Sequence, residues 1–187
     1  MLQLWKSLVR CQVEYCCPLW NPRRLEDIKT IEDVQRFFTK RIAHFGDMSY
    51  WDRLKALGLQ SLQRRRERYI IIHAWKLLNN IAPNDIKMEF QYNQRLGWRA
   101  KLPTHNRKAT EAAKTLYDSS FAVLGAKLWN TLPKGVNELT KLDPFKNALW
   151  KFLGPIPDNP PVKGYTTVNN NSITDWFNQP GGLRGKL

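Results

Sequence analysis

Apolar residues spaced three and four apart decide what this chain can fold into. From Leu25 they recur at Ile28, Ile31, Val34, Phe38, Ile42 and Phe45. That spacing puts one apolar stripe on a helix of about five turns. The opposite face carries Lys29, Asp33, Arg36 and Lys40, a solvated surface of mixed sign, and Gly46 ends the helix. Ser49 with Asp52 opens a short helix through Ala56, closed by Gly58. A longer helix runs from Ser61 to about Asn80, with Pro83 just beyond. On it Ile70, Ala74, Leu77 and Ile81 form an apolar stripe that Ile71, Trp75 and Leu78 widen. Helical spacing returns at Phe121, Leu124 and Leu128 and stops at Pro133. Asp143 as N-cap, with Pro144 behind it, opens a last helix over Phe145, Leu149 and Phe152.

Residues 86–103 read differently. Ile86 to Tyr92 alternates with period two, and Trp98 to Leu102 is a second extended stretch across Gly97. The expected fold is therefore mainly α, a helical bundle with a small β-hairpin around 86–103. Residues 154–187 hold five of the eleven prolines and five of the ten glycines. They are expected to be a mostly disordered tail, with Trp176 and Phe177 docking as a short plug. The body, 1–153, is expected to be one domain, with 104–153 as its C-terminal part.

Charge narrows the partners. Thirty Lys+Arg against sixteen Asp+Glu give a formal net charge of +14. Between positions 60 and 110 eleven basic residues meet only three acidic ones. Such a chain attracts polyanions. No apolar run approaches the roughly 18 residues of a spanning helix, so no membrane partner is expected. Lys6 and Arg10 interrupt what would be the apolar part of a signal peptide, which argues against secretion. Cys11, Cys16 and Cys17 are an odd trio and a poor disulfide framework, so an intracellular, reducing setting, nuclear or cytoplasmic, is expected.

Little in the chain suits catalysis or cofactors. The three cysteines have no neighbouring histidine, since His44, His73 and His105 are isolated. Small buried fillers are the expected role for the cysteines, and no metal site is expected. No Walker pattern and no G-x-G-x-x-G occurs. The close carboxylate pairs, Glu26-Asp27 and Glu32-Asp33, share a helix with Lys29, Arg36 and Lys40, which makes them solvated partners of those cations.

What remains is basic and aromatic. Arg64-Arg65-Arg66-Glu67-Arg68-Tyr69 opens the long helix. Arg65, Arg68, Tyr69 and Lys76 fall opposite its apolar stripe, while Arg64 and Glu67 sit at the stripe's edge and are expected to make structural pairs. Four arginines near a helix N-terminus oppose the positive end of its dipole, and an anion placed there relieves the repulsion. A second group, Arg95, Arg99, Lys101, Arg107 and Lys108, is interleaved with Tyr92 and Trp98. Arginine suits phosphates by bidentate bonding, and aromatic rings suit bases by stacking. The expected nucleic-acid contacts are Arg65, Arg66, Arg68, Lys76, Arg99, Lys101, Arg107 and Lys108, with Tyr69 and Trp98 as stacking platforms.

An ordered set of motifs resembles one family. Leu8-Val-Arg-Cys-Gln-Val-Glu-Tyr-Cys-Cys-Pro-Leu-Trp-Asn-Pro22 is similar to the start of the C-terminal region of non-LTR retrotransposon (LINE, jockey- or CR1-like) reverse transcriptases. Ile31-Glu-Asp-Val-Gln-Arg36 with Thr39-Lys-Arg-Ile42 resembles the long helix that follows. Arg53-Leu-Lys-Ala-Leu-Gly-Leu59 and Leu62-Gln-Arg-Arg-Arg66 resemble the next signature. Phe121, Leu128-Trp-Asn-Thr-Leu-Pro133 and Phe145-Lys146 resemble the closing one. The resemblance covers residues 2 to about 153. It implies a thumb and post-thumb region, from an RNA-directed DNA polymerase encoded by a transposable element, that grips the template–primer. The implied partners are RNA, DNA or an RNA–DNA hybrid, and the palm of a full-length enzyme. The family's paired palm aspartates have no counterpart here, so this chain alone is expected to be no enzyme. A rival reading is a protein-interaction or self-associating helical module. A third is the non-functional remnant of a decayed element.

Overall fold

The computed structural model describes residues 1–22, 24–83, 85, 88–104, 110–159 and 171–178. The fold is mainly α with one two-stranded antiparallel hairpin among the described residues. The chain divides into two compact units, Met1–Arg66 with Asp158–Ser172, and Glu67–Pro157 with Ile173–Leu187.

The first unit begins with α1 (Leu2–Leu4), a π-helical turn over Trp5–Val9, and α2 (Arg10–Glu14). Trp5 is fully buried and its ring lies 5.3 Å from that of Phe38. After Cys16, which adopts a left-handed φ of 50°, α3 (Cys17–Trp20) starts with proline in its first turn. Next come α4 (Leu25–Lys40) and α5 (Tyr50–Ala56). The Ser49 hydroxyl accepts from the Asp52 amide at 3.3 Å and caps α5, and Gly58 closes that turn at φ 60°. Both features follow the sequence expectation.

Helix α4 does not. It ends at Lys40 rather than at Gly46, and its buried face is Ile28, Glu32, Gln35 and Thr39. Val34, expected in the core stripe, is exposed, as is Phe37. Helical spacing is kept, but the inward positions are largely polar because neighbouring backbone groups and Arg53 need hydrogen-bond partners. Thr39 accepts from the Arg53 guanidinium at 3.4 Å, and Gln35 donates to the Gln60 carbonyl at 3.1 Å. Buried polar side chains hold a structure together only when satisfied in this way.

Helix α6 (Leu62–Leu78) has its first turn in the first unit and the rest in the second. In the second unit its inward residues Ile70, Ile71, Ala74, Trp75 and Leu77 enter one apolar core. Ile81 is exposed, since the helix ends before it and Asn80 turns left-handed at φ 55°. The hairpin pairs β1 (Phe90–Asn93) with β2 (Gly97–Ala100), Tyr92 opposite Trp98. It lies within the expected 86–103, of which Ile86 and Lys87 fall outside the described residues. Then follow α7 (Glu111–Ser119), which the apolar spacing does not announce, α8 (Phe121–Trp129) and α9 (Lys134–Asn137). In α10 (Leu142–Leu153) the N-cap is Lys141, two residues before the expected Asp143.

Aromatic rings fill the middle of the second core: Trp75 and Trp129 stack on Phe145 at 5.4 and 6.0 Å. Such pairs add roughly 1 kcal/mol beyond their buried area. The indole N–H groups are satisfied, Trp75 by the Leu139 carbonyl at 2.6 Å and Trp129 by the Trp98 carbonyl at 3.0 Å. Part of the expected tail is ordered: α11 (Ile173–Asn178) buries Ile173 and stacks Phe177 on Phe152 at 5.9 Å. Glu67 accepts from the Ile173 amide at 2.8 Å and so holds the start of α11. Residues 160–170 and 179–187 lie outside the described residues.

Candidate nucleic-acid interface

The arginine run at the start of α6 is neutralised from within. Glu32 on α4 is fully buried and accepts from the Leu62 amide at 3.0 Å and the Gln63 amide at 3.3 Å. The Tyr50 hydroxyl donates to the same carboxylate. Asp158 takes the Ser61 amide and hydroxyl, each at 2.7 Å, and lies 4.0 Å from Arg64. Arg65 forms a two-pronged pair with Glu14 on α2. The anion that this helix end requires is therefore supplied by three carboxylates of the chain itself. Burial pushes the Glu32 carboxyl above the ordinary carboxylate range, against the opposing pull of Tyr50, the Leu62 amide and Arg66.

The expected contact residues of this helix are thus placed variously. Arg66, expected as a nucleic-acid contact, is 1% exposed and donates to Asn21 at 3.0 Å. It lies four residues from both Leu62 and Ile70, each fully buried, so it shares their stripe. Arg65 is largely covered by its pair with Glu14. Arg64 and Glu67 do make the structural contacts expected of them. Tyr69 packs on the second core, and Lys76 is half-buried. Arg68 goes to a ring, its guanidinium carbon 5.1 Å from the centroid of Trp150 on α10.

The hairpin is held differently. Gly97 takes φ 73°, and a Cβ there would meet the Asn137 side-chain oxygen at 2.2 Å. That asparagine accepts from the Trp98 amide at 3.2 Å and donates to the Leu96 carbonyl at 2.9 Å. Asn130 accepts from the Ala100 amide and donates to its carbonyl, both at 2.9 Å. Two asparagines of the α8–α9 region thereby satisfy the edge of β2 that would otherwise be left unpaired.

On this anchored hairpin Trp98 is half-buried against the core, its ring 5.4 Å from Tyr92. Arg99 donates to the Asn130 carbonyl at 2.6 Å, and burial lowers the pKa of its guanidinium below the ordinary arginine value. Lys101 stays at the surface in a 3.0 Å pair with the exposed Glu89. Arg95 is exposed at the turn, and Lys134 on α9 reaches the Gln94 carbonyl at 2.7 Å. Tyr92 is 52% exposed, and its hydroxyl donates to Glu138 at 2.8 Å. Arg107 and Lys108 lie outside the described residues. The structure therefore carries Trp98, Arg99 and Lys101 on or beside one hairpin strand, each with a different partner, and adds Lys134 at the turn, which the sequence reading missed.

Trp150 was also missed, although the signal was present: it stands one residue off the Phe145–Leu149–Phe152 stripe. Of the cysteines only Cys17 is buried, and desolvation raises its thiol to about 11. Cys11 and Cys16 are exposed, which corrects the expectation that all three are core fillers. Among the described residues no group of three or more His, Cys, Asp or Glu could hold a metal ion, and no helix is long and apolar enough to cross a membrane. No family model, no curated protein and no solved structure matches this chain.

Proposed function

We propose that this chain is a non-catalytic nucleic-acid-binding module that grips phosphates, the role its resemblance to a retrotransposon reverse-transcriptase thumb implies. The observation that supports this reading is the hairpin. Arg95 and Lys134 stay at the surface near its turn with an exposed tyrosine, and Lys101 at its open end, after Arg64, Arg65 and Arg66 have been taken up internally. Lys101 pairs with the exposed Glu89 and Lys134 lies 3.9 Å from the half-buried Glu138, and pairs of this kind at the surface are worth about 0–1 kcal/mol, so a phosphate competes easily. An A-form hybrid is held through phosphates and shape, which suits a fixed cationic ribbon. The test is an anisotropy titration of a labelled RNA–DNA hybrid at low and moderate salt. Three contacts, from Arg95, Lys101 and Lys134, give a log–log slope of about −3. A slope near zero removes the reading.

A second reading rests on a separate observation. The first unit exposes Leu8, Tyr15, Leu19 and Phe37, with Leu19 77% exposed. An apolar surface of this kind suits docking to another protein or self-association. Light scattering that rises with protein concentration, unaffected by added oligonucleotide, favours it over phosphate binding.

A further inference from the structure

We infer that Trp150 is a stacking platform for an unpaired nucleobase of a single-stranded polynucleotide, a base-reading site separate from the phosphate-binding hairpin and resting on the same nucleic-acid reading. Trp150 keeps 49% of its area exposed, while Trp75 and Trp129 of the same unit are at most 1% exposed. The helix that carries it, α10, turns Phe145, Leu149 and Phe152 into the core, so its indole stands on the outer face by the geometry of a 3.6-residue turn. Arg68 from α6 lies over the ring at 5.1 Å, which fixes the indole and places a permanent positive charge against it.

The rim is cationic as well. Lys146 sits one turn before Trp150 on the same face, and Lys151 is its exposed neighbour. Lys146 has Asp143 at 3.8 Å, a loose surface pair that a phosphate can displace. An exposed aromatic ring with Arg68 against it and Lys146 one helical turn away fits a base and its flanking phosphates. It fits a paired base poorly, because bases within a duplex are already stacked on each other. Stacking of this kind tolerates any base, so the site selects single strands without selecting sequence.

The experiment uses the full chain and Trp150→Ala and Trp150→Phe variants. Their binding is followed by anisotropy with labelled oligo(U), oligo(dT) and a phosphodiester strand of the same length whose sugars carry no bases. Thermal midpoints of both variants establish that they are folded. The expected result is a loss of about tenfold on oligo(U) and oligo(dT) for Trp150→Ala, retention within about threefold for Trp150→Phe, and no change on the abasic strand. A loss confined to oligo(U) or to oligo(dT) keeps the platform and identifies its sugar preference. Equal losses on the abasic strand, or none on the base-bearing strands, overturn the stacking site. If the parent binds base-bearing strands but neither the abasic strand nor the hybrid, the phosphate reading fails and the platform stands. If the parent binds no strand, both fail.

Discussion

At the start of α6, Arg64 and Arg65 meet the partly buried carboxylates of Asp158 and Glu14, and Arg66 is buried near the fully buried Glu32. On the β1–β2 hairpin the cations meet a carboxylate and backbone carbonyls at the surface. Both groups look alike as sequence, dense in Lys and Arg with an aromatic residue among them. The difference lies in what removal of one partner leaves behind. A buried charge without its partner costs about 3–5 kcal/mol, whereas an exposed pair contributes about 0–1 kcal/mol. Positive charge in a sequence therefore counts toward binding only where the fold has not already used it.

The largest test of this contrast is Glu32→Ala. It strips acceptors from the Leu62 and Gln63 amides and the Tyr50 hydroxyl, and takes a counter-charge from Arg66. A loss of about 3–5 kcal/mol in urea unfolding is expected. Glu32→Gln keeps the shape and has a pH signature. Burial holds the Glu32 carboxyl above its unfolded value, so the folded chain binds that proton more tightly. The associated stability is present in full below the ordinary carboxylate range and is lost as pH rises through the raised value. Unfolding midpoints of the parent across that window contain this decline, and those of Glu32→Gln lack it. Identical profiles for the two chains would refute the assignment.

Arg65→Ala comes next, with an expected loss of about 2–3 kcal/mol, because Glu14 is left largely buried and short of its two-pronged partner. The contrast becomes sharp when binding is read beside stability. Hybrid affinity, measured on the folded fraction, should stay within about twofold of the parent. A large affinity loss without a stability loss would return Arg65 to the phosphate-binding set.

Gly97→Ala is smaller, about 2 kcal/mol, from a strained positive φ and from displacement of Asn137. It releases the anchor of the hairpin rather than its charges. Hydrogen exchange at the Leu96 and Trp98 turn should accelerate while α8 keeps its protection. Unchanged exchange there would mean that Asn137 is not the anchor.

The contrast also explains what could be read from the sequence. Helices α5, α6, α8 and α10, the Ser49 cap and the hairpin follow from spacing and turn residues, which act over a few positions. The fate of the arginines does not. Arg65 is held by Glu14, Leu62 by Glu32 and Ser61 by Asp158, at separations of 51, 30 and 97 residues. Periodicity carries no information over such distances. Helix α4 shows the same limit: Ile28, Glu32, Gln35 and Thr39 keep a helical stripe whose polar members a hydropathy pattern assigns to solvent. The two asparagines that brace β2 are equally silent as sequence, since their role appears only when α8 and α9 stand beside the strand.

The smallest expected effect on stability is the triple change Arg95, Lys101 and Lys134 to Ala, and it decides the comparison. Lys101 and Glu89 are both more than half exposed, so their pair contributes at most a few tenths of a kcal/mol. Lys134 gives up a hydrogen bond to Gln94 and a 3.9 Å approach to Glu138, both at the surface. Altogether the unfolding free energy should move by no more than about 1 kcal/mol. Affinity for the hybrid should behave oppositely: each phosphate contact removed lowers the salt slope by about 0.9, so the slope flattens by nearly three. Loss of binding with stability intact assigns the working charge to the hairpin and leaves the arginines of α6 as structural. Loss of stability with binding intact reverses that assignment, and with it the rule that buried carboxylates withdraw charge from the surface of this protein.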